Sequence, residues 1–102
     1  MKDFKEQAEL TLDNIFNLVE SKFEGFEVDY EEENLRIDSL SNGKVFILSI
    51  HSPTSQIWLS SPISGAHHFE RSSSNPLVWV STRDHKIKLL ELLKQELSGN
   101  LC

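Results

Sequence analysis

The sequence predicts an α+β fold, a two-layer α/β sandwich with N- and C-terminal helices on one face of an antiparallel sheet of five to six strands. Three observations predict it. Both ends carry apolar residues at helical spacing, the middle alternates apolar and polar with period two, and the middle is broken only by short turn signals. Short turns permit hairpins but no crossover, so neighbouring strands run antiparallel. Two terminal helices can cover one face of such a sheet, which leaves the other open. With 102 residues, the chain suffices for a single domain, 1–102, with one core.

The first helix runs from about Asp3 to Phe23, with Phe4, Ala8, Leu12, Ile15, Phe16, Val19 and Phe23 on one stripe and Gly25 as its stop. Phe26, Val28 and Tyr30 then alternate with Glu27, Asp29 and Glu31, the pattern of a half-buried strand. After Glu32-Glu33-Asn34, a second strand covers Leu35 to Leu40. Asn42-Gly43 turns it into a third, Val45 to Ile50. Ser52-Pro53-Thr54-Ser55 is turn chemistry leading to a fourth strand, where Ile57 and Leu59 face the core while Gln56, Trp58 and Ser60 share the polar face. Ser61-Pro62 and Ser64-Gly65 precede a strand at His67 to Arg71. The loop Ser72 to Pro76 leads to another at Leu77 to Ser81. The final helix is expected from Asp84, as N-cap, to Leu97, with Ile87, Leu89, Leu90, Leu93 and Leu97 on its stripe and Ser98-Gly99-Asn100 as its stop.

The formal charge of −6 is unevenly spread. Residues 1–38 hold 12 acidic and 4 basic side chains, a net −8, whereas residues 39–102 hold 4 acidic and 6 basic, a net +2. Such a field repels nucleic acid and anionic lipid and attracts cations or basic protein patches. No apolar run approaches the ~20 residues of a membrane span. The start lacks both the apolar core of a signal peptide and the Arg-rich character of a transit peptide, so a cytoplasmic protein is expected. The lone cysteine, Cys102, offers no intrachain disulfide, and no role is expected for it.

On a helical wheel, Glu6, Glu9, Asp13, Glu20 and Glu24 fall within an arc of roughly 60°. The outward strand positions Glu27, Asp29 and Glu31 can extend this line into an acidic ridge. Exposed carboxylates are hard ligands that hold Fe, Mn, Mg or Ca weakly and unselectively. From the residues alone, a solvated helix face and a cation-binding ridge both remain open. Trp58 is likewise either covered by its own chain or offered to a partner. Neighbouring His67 and His68 point to opposite faces of a strand, and with His51 and His85 are expected to be solvated or hydrogen-bonded. Neither a nucleophile elbow nor a Gly-rich phosphate loop occurs, so no catalytic residue is assigned and a non-enzymatic protein is expected.

The segment Gln56-Ile57-Trp58-Leu59-Ser60-Ser61-Pro62-Ile63-Ser64-Gly65, set between an acidic first helix and a Leu-rich last one, resembles the frataxin family, whose bacterial members are called CyaY. Trp79-Val80-Ser81, Glu91-Leu92-Leu93 and Glu96-Leu97 look like the family's last strand and helix, and His68-Phe69-Glu70 stands where bacterial members carry His-Phe-Asp. The resemblance covers nearly the whole chain. It implies an iron-binding protein (Fe2+/Fe3+, weakly held) of iron-sulfur cluster assembly, acting as iron donor or regulator of a complex of cysteine desulfurase and scaffold protein. The implied metal ligands are Glu20, Glu24, Glu27, Asp29 and Glu31, with Asp13, Glu9 and Glu6 along the same ridge. Trp58, Gln56, Ser60, Glu20 and Glu24 are the implied partner contacts. A monomer with iron-dependent oligomerisation is implied, in bacterial cytoplasm or, for a processed eukaryotic form, the mitochondrial matrix. A weak ferroxidase that stores iron and a metal-independent acidic interaction module are the alternatives. Three positions depart from the mitochondrial pattern: Thr54-Ser55 replace Asn-Lys, and Arg71 replaces a second sheet Trp.

Overall fold

The computed structural model describes residues 3–75 and 78–99. Helix α1 spans Phe4–Lys22. Asp3 caps it, its Oδ1 accepting the Glu6 N–H at 2.9 Å, which satisfies one of the helix's orphan donors. Ala8, Leu12, Ile15 and Val19 form its fully buried stripe. Gly25, at φ +84°, turns the chain into the sheet, and its carbonyl accepts the Leu40 N–H.

Six strands follow in chain order: β1 Phe26–Glu31, β2 Asn34–Ser39, β3 Val45–His51, β4 Gln56–Ser61, β5 Gly65–Arg71 and β6 Trp79–Ser81. Each pairs antiparallel with the next, so spatial order equals sequence order. A one-turn 3-10 helix, Ser52–Thr54, joins β3 to β4. Helix α2, Leu89–Gly99, packs into the same core as α1: Leu89, Leu93 and Leu97 join Leu35, Ile37, Phe46, Leu48, Ile57, Leu59 and Phe69 from the inner sheet face. The expected two-layer architecture, with both helices on one face of an antiparallel sheet, is what forms.

Strand β5 begins at Gly65, two residues before the expected His67, and two later boundaries also differ from expectation. Asp84 does not cap α2, which begins five residues later. Asp84 instead closes a tight turn, its Oδ1 accepting the Lys86 N–H and its carbonyl the Ile87 N–H. The Ile87 carbonyl is taken by the Ser81 N–H, and Lys88 bridges to Val80, so residues 84–88 serve as a sheet-edge cover before the helix can start. Strand β6 is three residues long and begins at Trp79; the expected start at Leu77 and the Asn100 stop lie outside the described residues.

Trp79 holds this short edge strand. It is 4% exposed, meets Phe4 edge-on at 5.9 Å and donates its indole N–H to Thr11 Oγ1 at 2.8 Å. At the other end of the sheet layer, Glu96 of α2 is 8% exposed and accepts from Ser61 Oγ and Ser64 Oγ, each at 2.6 Å. Because Ser64 spends its proton on Glu96, the 2.7 Å contact with His67 Nε2 requires that nitrogen to be the donor. Ser61 Oγ also accepts the Ile63 and Ser64 N–H groups, so one carboxylate fixes the whole β4–β5 turn to α2.

Candidate functional site: an acidic edge and an aromatic stack on the open sheet face

Pairing register decides which side chains share the uncovered face. Across β1 and β2, Glu27 is opposite Asp38, Asp29 opposite Arg36, and Glu31 opposite Asn34, all on the side away from the helices. An open cleft of about 500 Å³ lies at this edge, lined by Glu20, Phe26, Glu27, Val28, Asp29 and Asp38. The end of α1 therefore contributes Glu20 to the same rim as the outward carboxylates of β1 and β2.

The expected ridge residues fall into two neighbourhoods. Glu20, Glu27 and Asp29 line the cleft. Glu9 and Asp13 instead lie close enough to Tyr30 to act on its phenol: burial first, then the charges of Asp13, Glu9 and Glu33, push Tyr30 above the ordinary tyrosine value. Glu6 sits in the first turn of α1, Glu24 in the turn before β1 and Glu31 at the end of β1, each exposed and none of them on the cleft wall. Asp38 joins the cleft without having been expected there. Its signal was present, since Asn34, Arg36 and Asp38 alternate with Leu35 and Ile37, but its neighbours could be known only from the strand register.

Arg36 places a cation at this edge. Its Nε donates to Asp38 Oδ1 at 2.8 Å, and that bond, with the charges of Asp38 and Asp29, raises the guanidinium further above its ordinary value. Among the described residues no three His, Cys, Asp or Glu side chains converge as a closed metal cage. The donor set is oxygen only and open to solvent, the chemistry of a weak site for a hard cation.

Toward the middle of the same face, Trp58 is half-buried between two imidazoles. His51 of β3 stacks on one side at 3.9 Å between ring centroids and 16° between planes; His68 of β5 stacks on the other at 4.3 Å and 12°. The indole N–H is taken by Gln56 Oε1 at 2.8 Å. Trp58 is thus on the open face, as expected, but its two flat sides are covered by its own chain. His51 and His68 act as ring partners rather than as merely solvated groups, while His51 also meets Thr54 Oγ1 at 2.7 Å and His85 meets Glu70 at 3.0 Å. Ser60 of β4 faces Ile47 and Ala66 on the same open face. Arg71 is directed to the helix side, its guanidinium 5.9 Å from the centre of the Phe4 ring.

A family model described as a frataxin-like domain matches residues 1–101. The mitochondrial frataxin of Arabidopsis thaliana is 32% identical over 106 residues, covering 99% of this chain and 54% of its own length. The iron-sulfur cluster assembly protein CyaY of Janthinobacterium sp. is 30% identical over 86 residues, covering 80% of this chain and 73% of its own. The chain thus spans about half the length of the first mitochondrial relatives it matches. Trimeric frataxin from the yeast Saccharomyces cerevisiae superposes with a TM-score of 0.77 at 24% identity, over 91% of this chain and 77% of that one. The same yeast protein complexed with ferrous iron gives 0.72 at 24%, over 97% and 85%. At this identity the structures speak to the fold, two helices on an antiparallel sheet, while the family model and the two relatives speak to descent. On those matches, and on a Trp58 strand and terminal helices placed as the resemblance requires, the chain belongs to the frataxin family.

Proposed function

We propose that this chain handles iron in iron-sulfur cluster assembly, binding Fe(II) weakly at the acidic edge and docking on a cysteine desulfurase–scaffold complex through that edge and the Trp58 face. The observation that carries the reading is the sharing of one uncovered sheet surface by two unlike patches: Glu27, Asp29 and Asp38 at one end, with Glu20 of α1 at their rim, and Gln56, Trp58 and Ser60 further across. The name of the CyaY relative and the ferrous complex of the yeast neighbour support it.

The chemistry is electrostatic. Open carboxylates concentrate a hard cation without enclosing it, so the ion can leave as readily as it arrives, which suits delivery or sensing better than storage. Glu24, Glu31, Asp13, Glu9 and Glu6 add to the field from outside the cleft. A basic partner patch draws on the same charge, so metal and partner compete, and binding weakens with salt. No proton or electron transfer is assigned to any residue of the chain, and iron is its cargo.

The test is binding of the desulfurase complex, at two salt concentrations, to the wild type and to two variants. Glu20→Lys with Glu24→Lys should weaken binding at least tenfold at low salt, and Trp58→Ala should weaken it at both, with folds intact by circular dichroism. Unchanged affinity in both variants would remove this face as the docking surface.

A further inference from the structure

We propose that Arg36 is a built-in counter-cation at the rim of the acidic cleft, holding the lining carboxylate Asp38 in the absence of metal and setting how tightly a divalent ion can bind there. The inference rests on the reading of the cleft as a cation site and assigns its affinity to a residue outside the carboxylate set.

Register and contact place the guanidinium beside the cleft wall. Arg36 is directly opposite Asp29 on β1 and two residues from Asp38 on its own strand, with which it shares the 2.8 Å hydrogen bond. Glu27 is in turn opposite Asp38, so one positive group sits among three outward carboxylates. Its other cross-strand neighbour, Ile47 of β3, offers no charge. The side chain is more than half exposed, so the arginine is held by charge rather than by packing and can swing aside. A guanidinium hydrogen-bonded to Asp38 takes one of the oxygens that an incoming ion would use, and its positive charge opposes the ion's approach. Metal binding is therefore an exchange, in which the ion displaces Arg36 from Asp38.

The experiment is a Mn(II) titration, chosen as a redox-stable divalent probe, followed by paramagnetic broadening of backbone amides in wild type, Arg36→Gln and Arg36→Lys. Arg36→Gln should lower the apparent Kd about three- to tenfold, the effect of removing one charge a few ångströms away near a surface, with broadening centred on Glu20, Glu27, Asp29 and Asp38. Arg36→Lys keeps the charge and should stay close to wild type. If Arg36→Gln binds no more tightly while Asp29→Asn weakens binding, the cleft is a metal site and the role of Arg36 is refuted. If neither wild type nor Arg36→Gln shows broadening at these residues at millimolar Mn(II), the cleft reading falls and the proposal with it.

Discussion

Trp79 and Thr11, 68 residues apart, are joined by a 2.8 Å hydrogen bond from the indole N–H to a hydroxyl that itself donates to the Gln7 carbonyl. The short edge strand is thereby tied to the first helix through the donor of a side chain that is almost wholly buried. Thr11→Val keeps the shape and leaves the indole N–H unpaired, which should cost about 1–3 kcal/mol. Urea unfolding checks the loss, and the metal titration of the distant cleft should not change.

Glu96→Ala removes the acceptor shared by Ser61 and Ser64 and opens a small void beside Leu97. A loss of about 2–4 kcal/mol is expected, since both hydroxyls lose a charged partner. Hydrogen exchange should show it locally first, with faster exchange at Ile63 and Ser64, whose amides depend on Ser61 Oγ. Equal acceleration throughout the sheet would mean that Glu96 supports the core generally rather than this turn.

His68→Ala should uncover one flat side of Trp58 without unfolding the chain. Acrylamide quenching then increases for the exposed tryptophan while Trp79, 4% exposed, stays protected as an internal reference. Trp58→Ala itself should cost no more than about 2 kcal/mol, the scale of two ring contacts. Ile57→Ala, one residue away but fully buried, should cost about 2–5 kcal/mol. Similar losses for the two would place Trp58 in the core energetically.

The contrast between these neighbours shows what was legible beforehand. Alternation alone assigns Ile57 and Leu59 inward and Trp58 outward, because a strand repeats every two residues. It cannot show that His51 and His68 flank the indole, since that depends on the pairing of three strands that brings together two histidines 17 residues apart in sequence. Asp84 misled for a related reason. Its capping chemistry is real, but the Ser81–Ile87 hydrogen bond gives residues 84–88 a better use along the edge of β6, and tertiary pairing outweighs local propensity. Asp38 shows the intermediate case, visible as an outward residue and placed in the cleft only by its register with Glu27.

Tyr30 is the single tyrosine, so its ionisation can be followed alone by ultraviolet absorbance. Its value is raised on folding, so the folded state keeps the phenol proton where the unfolded chain has lost it. The stabilisation is fully present below pH ~10, the unfolded value, and is lost as pH rises through the folded one. Stability should accordingly fall above pH ~10, and Asp13→Asn should move the tyrosinate transition downward. Burial, the first-named cause, persists in that variant, so the return is incomplete. A transition that does not move would show that Asp13 does not act on the phenol.

Glu32 occupies the β1–β2 turn at φ +56°, where a side chain is strained, and stands between Glu31 and Glu33. Glu32→Gly relieves both the backbone and the local repulsion, at some cost in unfolded-chain entropy. A net gain of about 0.5–1 kcal/mol is expected from thermal or urea unfolding.

Spatial order equal to sequence order has a consequence for how the chain matures. Every strand of the meander finds its partner in the segment just made, so the sheet can assemble progressively as the chain lengthens, with little loop to close. The last element is different: α2 comes after all six strands, and until it arrives the inner surface of Ile57, Leu59 and Phe69 lacks part of its cover. A growing or C-terminally truncated chain thus passes through a stage with a formed sheet and a wet apolar face, the condition in which such proteins aggregate or recruit chaperones.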